Sequence, residues 1–365
     1  MTEVPTRPVP QPGLLCIAPY TAGKGSGGGA NIVTKLSANE NPLGPSPATI
    51  DAVKTAADTL ALYPDQHHGG LREAIAEVHG LEADRIVCGA GSDELIALLC
   101  QAYCGPGMQV VHNEHGFAMY PISARAAGAE PVAAPEQDRT ADVDAMLGSV
   151  EETTAMVFLA NPNNPTGTML PEVDVLRLAQ GLPEHVLLVL DGAYAEYIEG
   201  FDGHARLVDR FANVVMTRTF SKIYGLGGLR VGWCYAPPEI VDVLQRVRGP
   251  FNVSAAGLAG AEAAVRDQEW VARCRAENTF WRAWMTTELR ALGLKVDQSQ
   301  ANFVLPRFGD AFQAAAAEQR LSNQGIIVRP VGSYGLSECL RISIGDEVAC
   351  RRVIAVLQAF LEKAA

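Results

Sequence analysis

From residue 85 onward, short apolar runs alternate with amphipathic stretches, and this rhythm predicts an α/β fold. Arg85-Ile86-Val87-Cys88 reads as a buried strand. Further strands are expected at 109–112, 130–134, 155–160, 186–191, 214–218 and 230–236. Apolar residues at helical spacing predict helices at 119–127, 171–181 and 238–247, and another ending near Tyr103. Such alternation is the pattern of a mostly parallel sheet flanked by helices. Upstream, helices are expected from Pro47 to Leu62 and from Leu71 to His79, with Tyr63-Pro64-Asp65 as a turn between them. After about residue 252 the rhythm changes to long helices over 254–291, rich in Ala, Glu and Arg. Short strands at 302–305, 326–329 and 339–344 then surround one more helix, and a last helix spans 348–363. The expected organisation is an N-terminal arm over 1–40 packing with the small domain, a large domain over 41–255, and a smaller α+β domain over 256–365. No internal repeat is present.

Composition narrows the function classes. The 365 residues are 48% hydrophobic and 19% charged, which describes a well-filled core. A net charge of −12, without any basic run, argues against nucleic acid as a partner. The longest apolar runs, such as Val186-Leu187-Leu188-Val189-Leu190, are too short to span a bilayer, so no membrane role is expected. The proline-rich N-terminus lacks a charged-then-apolar leader pattern, and a cytoplasmic protein is expected. The eight cysteines are scattered without metal-ligand spacing and read as reduced core thiols; no metal is expected. Gly23-Lys24-Gly25-Ser26-Gly27-Gly28-Gly29 lacks the preceding strand and the spacing of a phosphate loop, and reads as a mobile segment.

Candidate chemistry centres on Thr217-Arg218-Thr219-Phe220-Ser221-Lys222, followed by a glycine-rich turn that ends at Arg230. A lysine just past a buried strand sits at a sheet edge, where a partly desolvated amine near other cations can attack a carbonyl. Thr219, Ser221 and Arg230 offer two hydroxyls and a guanidinium fork to a phosphate. An amine beside a phosphate cup suits pyridoxal phosphate (PLP); the alternative is a solvated lysine beside a flexible turn. Gly89-Ala90-Gly91-Ser92-Asp93-Glu94 has the strand–turn–helix order that aims amides at an anion, and Ser92 or Asp93 is alternatively a helix cap. Asp191 ends a buried strand and needs a cationic partner, such as a protonated ring nitrogen, unless it caps a helix or forms a structural ion pair. Tyr194 lies three residues further on. Asn161-Pro162-Asn163-Asn164-Pro165-Thr166-Gly167 follows a strand at the same edge. Phe117 either stacks on a flat ring or belongs to the core, Asn39 and Glu40 either face a ligand or cap their loop, and Tyr20 is a candidate docking anchor. His67-His68 reads as an exposed turn, with lining a site as the alternative. The smaller domain contributes Asn302, Arg329 and Arg341.

Taken together, Ala38-Asn39-Glu40-Asn41-Pro42, Tyr63-Pro64-Asp65, Gly91-Ser92-Asp93-Glu94, Asn163-Asn164-Pro165-Thr166-Gly167, Asp191-Gly192-Ala193-Tyr194, Ser221-Lys222 with Arg230, and Leu340-Arg341-Ile342 resemble the fold-type I PLP-dependent aminotransferases of class II. Within them, the histidinol-phosphate branch is the nearest match. The motifs run in family order across nearly the whole chain. The resemblance implies transamination between L-histidinol phosphate and 2-oxoglutarate in histidine biosynthesis. Lys222 would carry the cofactor and move the proton, Asp191 would pair with the pyridine nitrogen, and Tyr194 and Asn164 would bind the phenolic oxygen. Phe117, where relatives often carry tyrosine, would stack on the ring. Ser92, Asp93, Thr219, Ser221 and Arg230 would hold the phosphate, joined by Tyr63 from the neighbouring subunit of a homodimer. Arg329 and Arg341 would take the substrate's anionic group, with Tyr20, Asn39 and Asn302 nearby. Aromatic amino-acid aminotransferases and threonine-phosphate decarboxylase share nearly all these motifs. A PLP-binding sensor without turnover is disfavoured because Lys222 and Asp191 are both present, and a nucleotide-binding Rossmann enzyme because its glycine fingerprint is missing.

Overall fold

The architecture is taken from a computed structural model of the chain, which describes residue 10, residues 13–18 and residues 33–362. Ten strands come first in the chain: β1 (Thr34–Lys35), β2 (Ile86–Gly89), β3 (Gln109–Asn113), β4 (Glu130–Ala134), β5 (Glu136–Gln137), β6 (Thr140–Ala141), β7 (Thr154–Ala160), β8 (Leu187–Asp191), β9 (Val214–Thr219) and β10 (Gly232–Tyr235). The helices among them are α1 (Pro47–Ala56), α2 (Gly69–His79), α3 (Ser92–Tyr103), α4 (Met119–Ala126), α5 (Val143–Gly148), α6 (Glu172–Gly181), α7 (Ala205–Val208) and α8 (Pro238–Val247). The remainder comprises α9 (Ala255–Arg266), α10 (Gln268–Ala291), β11 (Lys295–Val296), β12 (Phe303–Val304), β13 (Pro306–Arg307), α11 (Ala311–Asn323), β14 (Ile326–Ile327), β15 (Arg329–Val331), β16 (Leu336–Ser343) and α12 (Glu347–Leu361).

Seven strands form the main sheet in the order β2-β10-β9-β8-β7-β3-β4. Every residue of β8 is buried, as expected of a strand covered on both faces, and this is why it reads as an unbroken apolar run. Separate apolar clusters cover the two faces. One holds Leu71, Leu188 and Trp233, and the other Leu95, Val189 and Cys234. Neighbouring strands are parallel except β10, which runs antiparallel to both β2 and β9. A parallel pairing of β9 with β10 usually takes a crossover helix to carry the chain back, whereas the link here, residues 220–231, forms no α-helix and holds only a 3-10 turn at Gly227–Leu229. The reversal brings the start of β10 to the edge where the parallel strands end.

Local signals account for several helix starts. Ser46, Ser254, Asp310 and Asp346 each accept a backbone N–H as helix caps. The expected helix from Pro47 to Leu62 stops at Ala56 and gives way to a 3-10 turn at Ala57–Thr59. Leu60 and Leu62 are exposed, so no apolar face rewards continuation. The long helical region breaks at Asp267, whose side chain accepts from Trp270 N and opens α10. The β5–β6 hairpin escapes a reading by sequence because its turn carries Asp138 and Arg139 at positive φ, 47° and 61°, without glycine.

The second sheet is built on β16, which pairs antiparallel with β12, β13 and β15. It packs with α10, α11 and α12 around its own core, which includes Trp281, Leu321 and Ile342. The segment 34–39 lies against this sheet. β1 pairs parallel with β14, Leu36 N donates to Ile327 O at 2.7 Å, and Ser343 N donates to Leu36 O at 2.9 Å. Among the described residues, no helix is long and apolar enough to cross a membrane. Cys16 is exposed, Cys104 is partly exposed, and the other cysteines are buried thiols.

Candidate active site

The parallel strands deliver their carboxyl ends to one cavity of about 190 Å³ between the two sheets. A larger hollow of about 530 Å³ opens elsewhere, between Tyr197, Trp281 and Asp346; the Cys274 thiol borders it, but no lysine or arginine does. The smaller cavity is lined by Lys222, Asp191 and Tyr194, by the Ser92, Asp93, Thr219, Ser221 and Arg230 group, and by Phe117, Asn164, Asn39, Arg329 and Arg341.

Lys222 follows β9 in the turn that reverses the chain. Its Nζ donates to Ala38 O at a long 3.4 Å and stands 5.8 Å from the Tyr194 ring centre. Burial, reinforced by the positive charges of Arg341 and Arg230, lowers its pKa from 10.5 to about 8; Asp93 and Asp191 oppose that fall. Near neutral pH a useful fraction of this amine is therefore unprotonated and nucleophilic.

Strand register fixes Asp191 at the same edge, beside Ala160 of β7 and Thr217 of β9. Its Oδ2 accepts from Tyr120 Oη at 2.8 Å, and its Oδ1 from Ala193 N at 3.0 Å. Burial raises its pKa, and the two hydrogen bonds only partly offset that. Among the described residues, no cationic side chain forms an ion pair with it within 4.0 Å. A buried carboxylate held by neutral donors at a cavity wall suits a cation that arrives with a ligand, and a protonated ring nitrogen is such a cation. Tyr120 was missed by the sequence reading, although Phe117 and Tyr120 stand three apart at the start of α4 and so share a face. Their rings meet edge to face at 5.7 Å, and Phe117 borders the cavity while Tyr120 stacks on Phe158.

An oxyanion cup forms beside Lys222. Gly91, at φ 92°, is the residue before α3, and no side chain caps that helix. Ser92 and Asp93 are therefore the first helical residues and not caps, and their backbone amides lie at the exposed positive end of α3. The Asp93 carboxylate instead accepts from Arg230 Nη2 at 3.1 Å, and Arg230 Nη1 donates to Ser221 Oγ at 3.1 Å. Thr219 Oγ1 accepts from Ser221 N at 3.1 Å. The fit leaves no room for side chains at two glycines. A Cβ on Gly91 would lie 2.4 Å from Arg230 Nη2, and one on Gly232 would lie 2.3 Å from Ser92 N. Two hydroxyls, a guanidinium and a helix N-terminus converging in this way suit a phosphate.

On the opposite wall, Arg329 and Arg341 stand directly across from each other in the β15–β16 ladder. Like charges paired in this way favour an anion between or before them. Arg341 is buried. Its Nη2 donates to Ser37 O at 2.9 Å and its Nη1 donates to Asn164 Oδ1. That contact leaves Asn164 its amide N–H groups to offer the cavity. Asn39, at φ 58°, borders the cavity, but its side chain is engaged by Tyr194 and Ser343. Asn302 lies behind the wall, with Nδ2 donating to Asn39 O at 2.9 Å.

Tyr63 was expected at the site of a neighbouring subunit, and in its own subunit it lies away from this cavity. Tyr63 is 82% exposed on another face, stacked on Phe251 at 4.6 Å. Tyr20 lies outside the described residues, as does the Gly23–Gly29 run. His67 and His68 were expected in an exposed turn, but His68 is buried at φ 55°, and burial lowers its pKa to about 4.

Comparison with known proteins agrees with this geometry. The family description "Aminotransferase class I and II" matches residues 31–357. The "Histidinol-phosphate aminotransferase" of Ruegeria pomeroyi is 59% identical over 97% of this chain and 98% of its own length. The protein of the same name from Paracoccus denitrificans is 54% identical over 100% of this chain and 99% of its own length. Among solved structures, the histidinol-phosphate aminotransferase of Sinorhizobium meliloti in complex with pyridoxal-5'-phosphate superposes with a TM-score of 0.88 at 31% identity, covering 92% of this chain and 93% of that one. Aspartate aminotransferase from Thermus thermophilus with maleate shares the fold, with a TM-score of 0.80 at 22% identity over 90% of this chain and 91% of that one.

Proposed function

The chain belongs to the class I and II aminotransferases, and from that premise we propose that it moves the amino group of L-histidinol phosphate to 2-oxoglutarate. The products are imidazole acetol phosphate and glutamate, and the step belongs to histidine biosynthesis. The observation that carries the reading is the pairing, across one cavity, of a buried amine of lowered pKa with a buried carboxylate that forms no ion pair among the described residues, beside an oxyanion cup. The relatives' names favour this substrate over an aromatic amino acid or threonine phosphate.

The cofactor assigned to the cavity is PLP, which when bound supplies an aldehyde for the amine and a ring that withdraws electrons from the substrate carbon. Lys222 is assigned to hold it and, once displaced, to carry the proton to and from that carbon. Asp191 keeps the ring nitrogen protonated, and Tyr120 and Ala193 fix the carboxylate that does so. Phe117 covers one face of the ring, while Asn164 and Tyr194 offer donors to its phenolic oxygen. The cup of Ser92, Asp93, Thr219, Ser221 and Arg230 anchors the phosphate. Arg341 with Arg329 binds the substrate's phosphate or carboxylate, since guanidinium forks match either oxyanion. Residues 41–255 form the cofactor domain, 256–365 the small domain and 1–40 an arm along it. A homodimer gives Tyr63 a role: exposed on its own subunit, it is assigned to the phosphate of its partner's site.

The test is the visible absorbance of the PLP-loaded protein. L-Histidinol phosphate alone should convert the PLP band to that of the aminated cofactor, and 2-oxoglutarate should restore it with release of glutamate. A band that ignores histidinol phosphate but responds to phenylalanine or tyrosine would overturn the substrate assignment.

A further inference from the structure

A buried chain of hydrogen bonds runs from the second sheet to the cavity, and its donors and acceptors leave one consistent direction. Ser343 ends β16, two residues beyond Arg341. Its Oγ accepts the backbone N–H of Asn39 at 2.8 Å and donates its own proton to Asn39 Oδ1 at 3.0 Å. The other end of the Asn39 amide, Nδ2, donates to Tyr194 Oη at 2.8 Å. The two ends of an asparagine amide are nearly alike in shape, so its partners decide its orientation. Turned over, Asn39 would face two N–H donors toward Ser343 Oγ. The Ser343 proton, in a side chain only 3% exposed, would then have no acceptor there. Ser343 thus fixes Asn39 as the donor and Tyr194 Oη as the acceptor. The Tyr194 proton has no acceptor among the described residues, and this buried side chain borders the cavity.

From this order of donors we infer that Ser343 is a positioning residue for the cofactor: through Asn39, it turns the Tyr194 hydroxyl proton into the cavity, toward the phenolic oxygen of bound PLP. The inference rests on the PLP reading above. It also makes the Tyr194 donor conditional on how residues 36–39 seat against β16. Leu36 O and Asn39 N are both held by Ser343, on the strand that carries Arg341. The wall that binds the substrate's anion thereby reaches the ring's oxygen.

The experiment is a pH titration of the visible absorbance of the PLP-loaded protein. A hydrogen bond donated to the phenolic oxygen favours its anionic form, so losing that bond raises the midpoint. Ser343→Ala frees the Asn39 amide to turn over and take the Tyr194 proton, and should raise the midpoint by roughly one pH unit. Ser343→Thr keeps the hydroxyl and should titrate like the unaltered protein. Asn39→Asp has only acceptor oxygens facing Tyr194 and should shift the midpoint in the same direction, which supplies the measurement if Ser343→Ala does not fold. Midpoints of Ser343→Ala and Asn39→Asp equal to that of the unaltered protein would overturn the inference and leave the PLP reading standing. An equal rise in Ser343→Thr would assign the effect to packing and also overturn it. An unaltered protein with no PLP absorbance at all would instead remove the reading beneath it.

Discussion

Replacing Lys222 by methionine should stabilise the cofactor-free protein while abolishing its chemistry. The folded protein holds this amine at a pKa of about 8, against 10.5 for an exposed lysine. The unfolded chain therefore binds the proton more tightly, and stability rises with pH between those two values. Below about pH 8 the whole penalty is in force. A fall of about two and a half pH units, at about 1.4 kcal/mol each, amounts to about 3–4 kcal/mol. The Nζ–Ala38 hydrogen bond, long at 3.4 Å, offsets about 1 kcal/mol of that. Methionine fills similar space without a charge, so the net gain near neutral pH should be about 2–3 kcal/mol. The assay is chemical denaturation of the cofactor-free protein and Lys222→Met, side by side, near neutral pH and again at about pH 10. The variant should be the more stable near neutrality, and the gap should narrow at the higher pH as the wild-type amine ceases to prefer the unfolded state. A variant no more stable at neutral pH, or a gap indifferent to pH, would refute the desolvation of Lys222 on which its reactivity depends.

Two further outcomes follow from contacts near the site. Arg218 and Glu196 form a 2.9 Å ion pair with side chains only 2% and 4% exposed. Glu196→Gln leaves a buried guanidinium without its counter-charge, and should lower stability by about 3–5 kcal/mol with little change in KM; a raised KM at unchanged melting temperature would contradict this. Gly91→Ala puts a methyl 2.4 Å from Arg230 Nη2 on a residue at φ 92°. Displacing the guanidinium and straining the backbone should weaken PLP binding by roughly tenfold or more, read by titrating cofactor-free protein with PLP; undiminished affinity would remove Arg230 from the cup.

The chain announces its chemistry better than its geometry. Lys222, Asp191 and the Ser92–Asp93 turn each follow an apolar run, and the carboxyl ends of parallel strands share one edge, so their meeting was legible from periodicity alone. The direction of β10 was not, because an apolar strand reads the same in both directions and it is the structure that shows no crossover helix in the link before it. Nothing in the sequence singles out Tyr120, and only the fold brings its hydroxyl to Asp191. Asn39 and Asn302 were expected beside the substrate because the family resemblance implied it. Their bonds to Ser343, Tyr194 and each other depend on contacts between residues 155 to 304 positions apart, which no local pattern encodes. His68 likewise read as surface, and its burial is a property of what packs over it.

The reversed strand has a consequence for synthesis of the chain. β10 lies between β2 and β9, and Gly232 faces Gly89 on one side and Thr219 on the other. A ribosome that has released the chain through Lys222 has already delivered the amine, the carboxylate and the helix end that faces the phosphate. It has not yet delivered the strand that brings those parts together, nor Arg230 just before it. Sequence-local pieces of the sheet can pair early, but the cup closes only after a long-range insertion. Tight capture of PLP is then a property of the finished sheet, so a stalled or truncated chain would not sequester the cofactor.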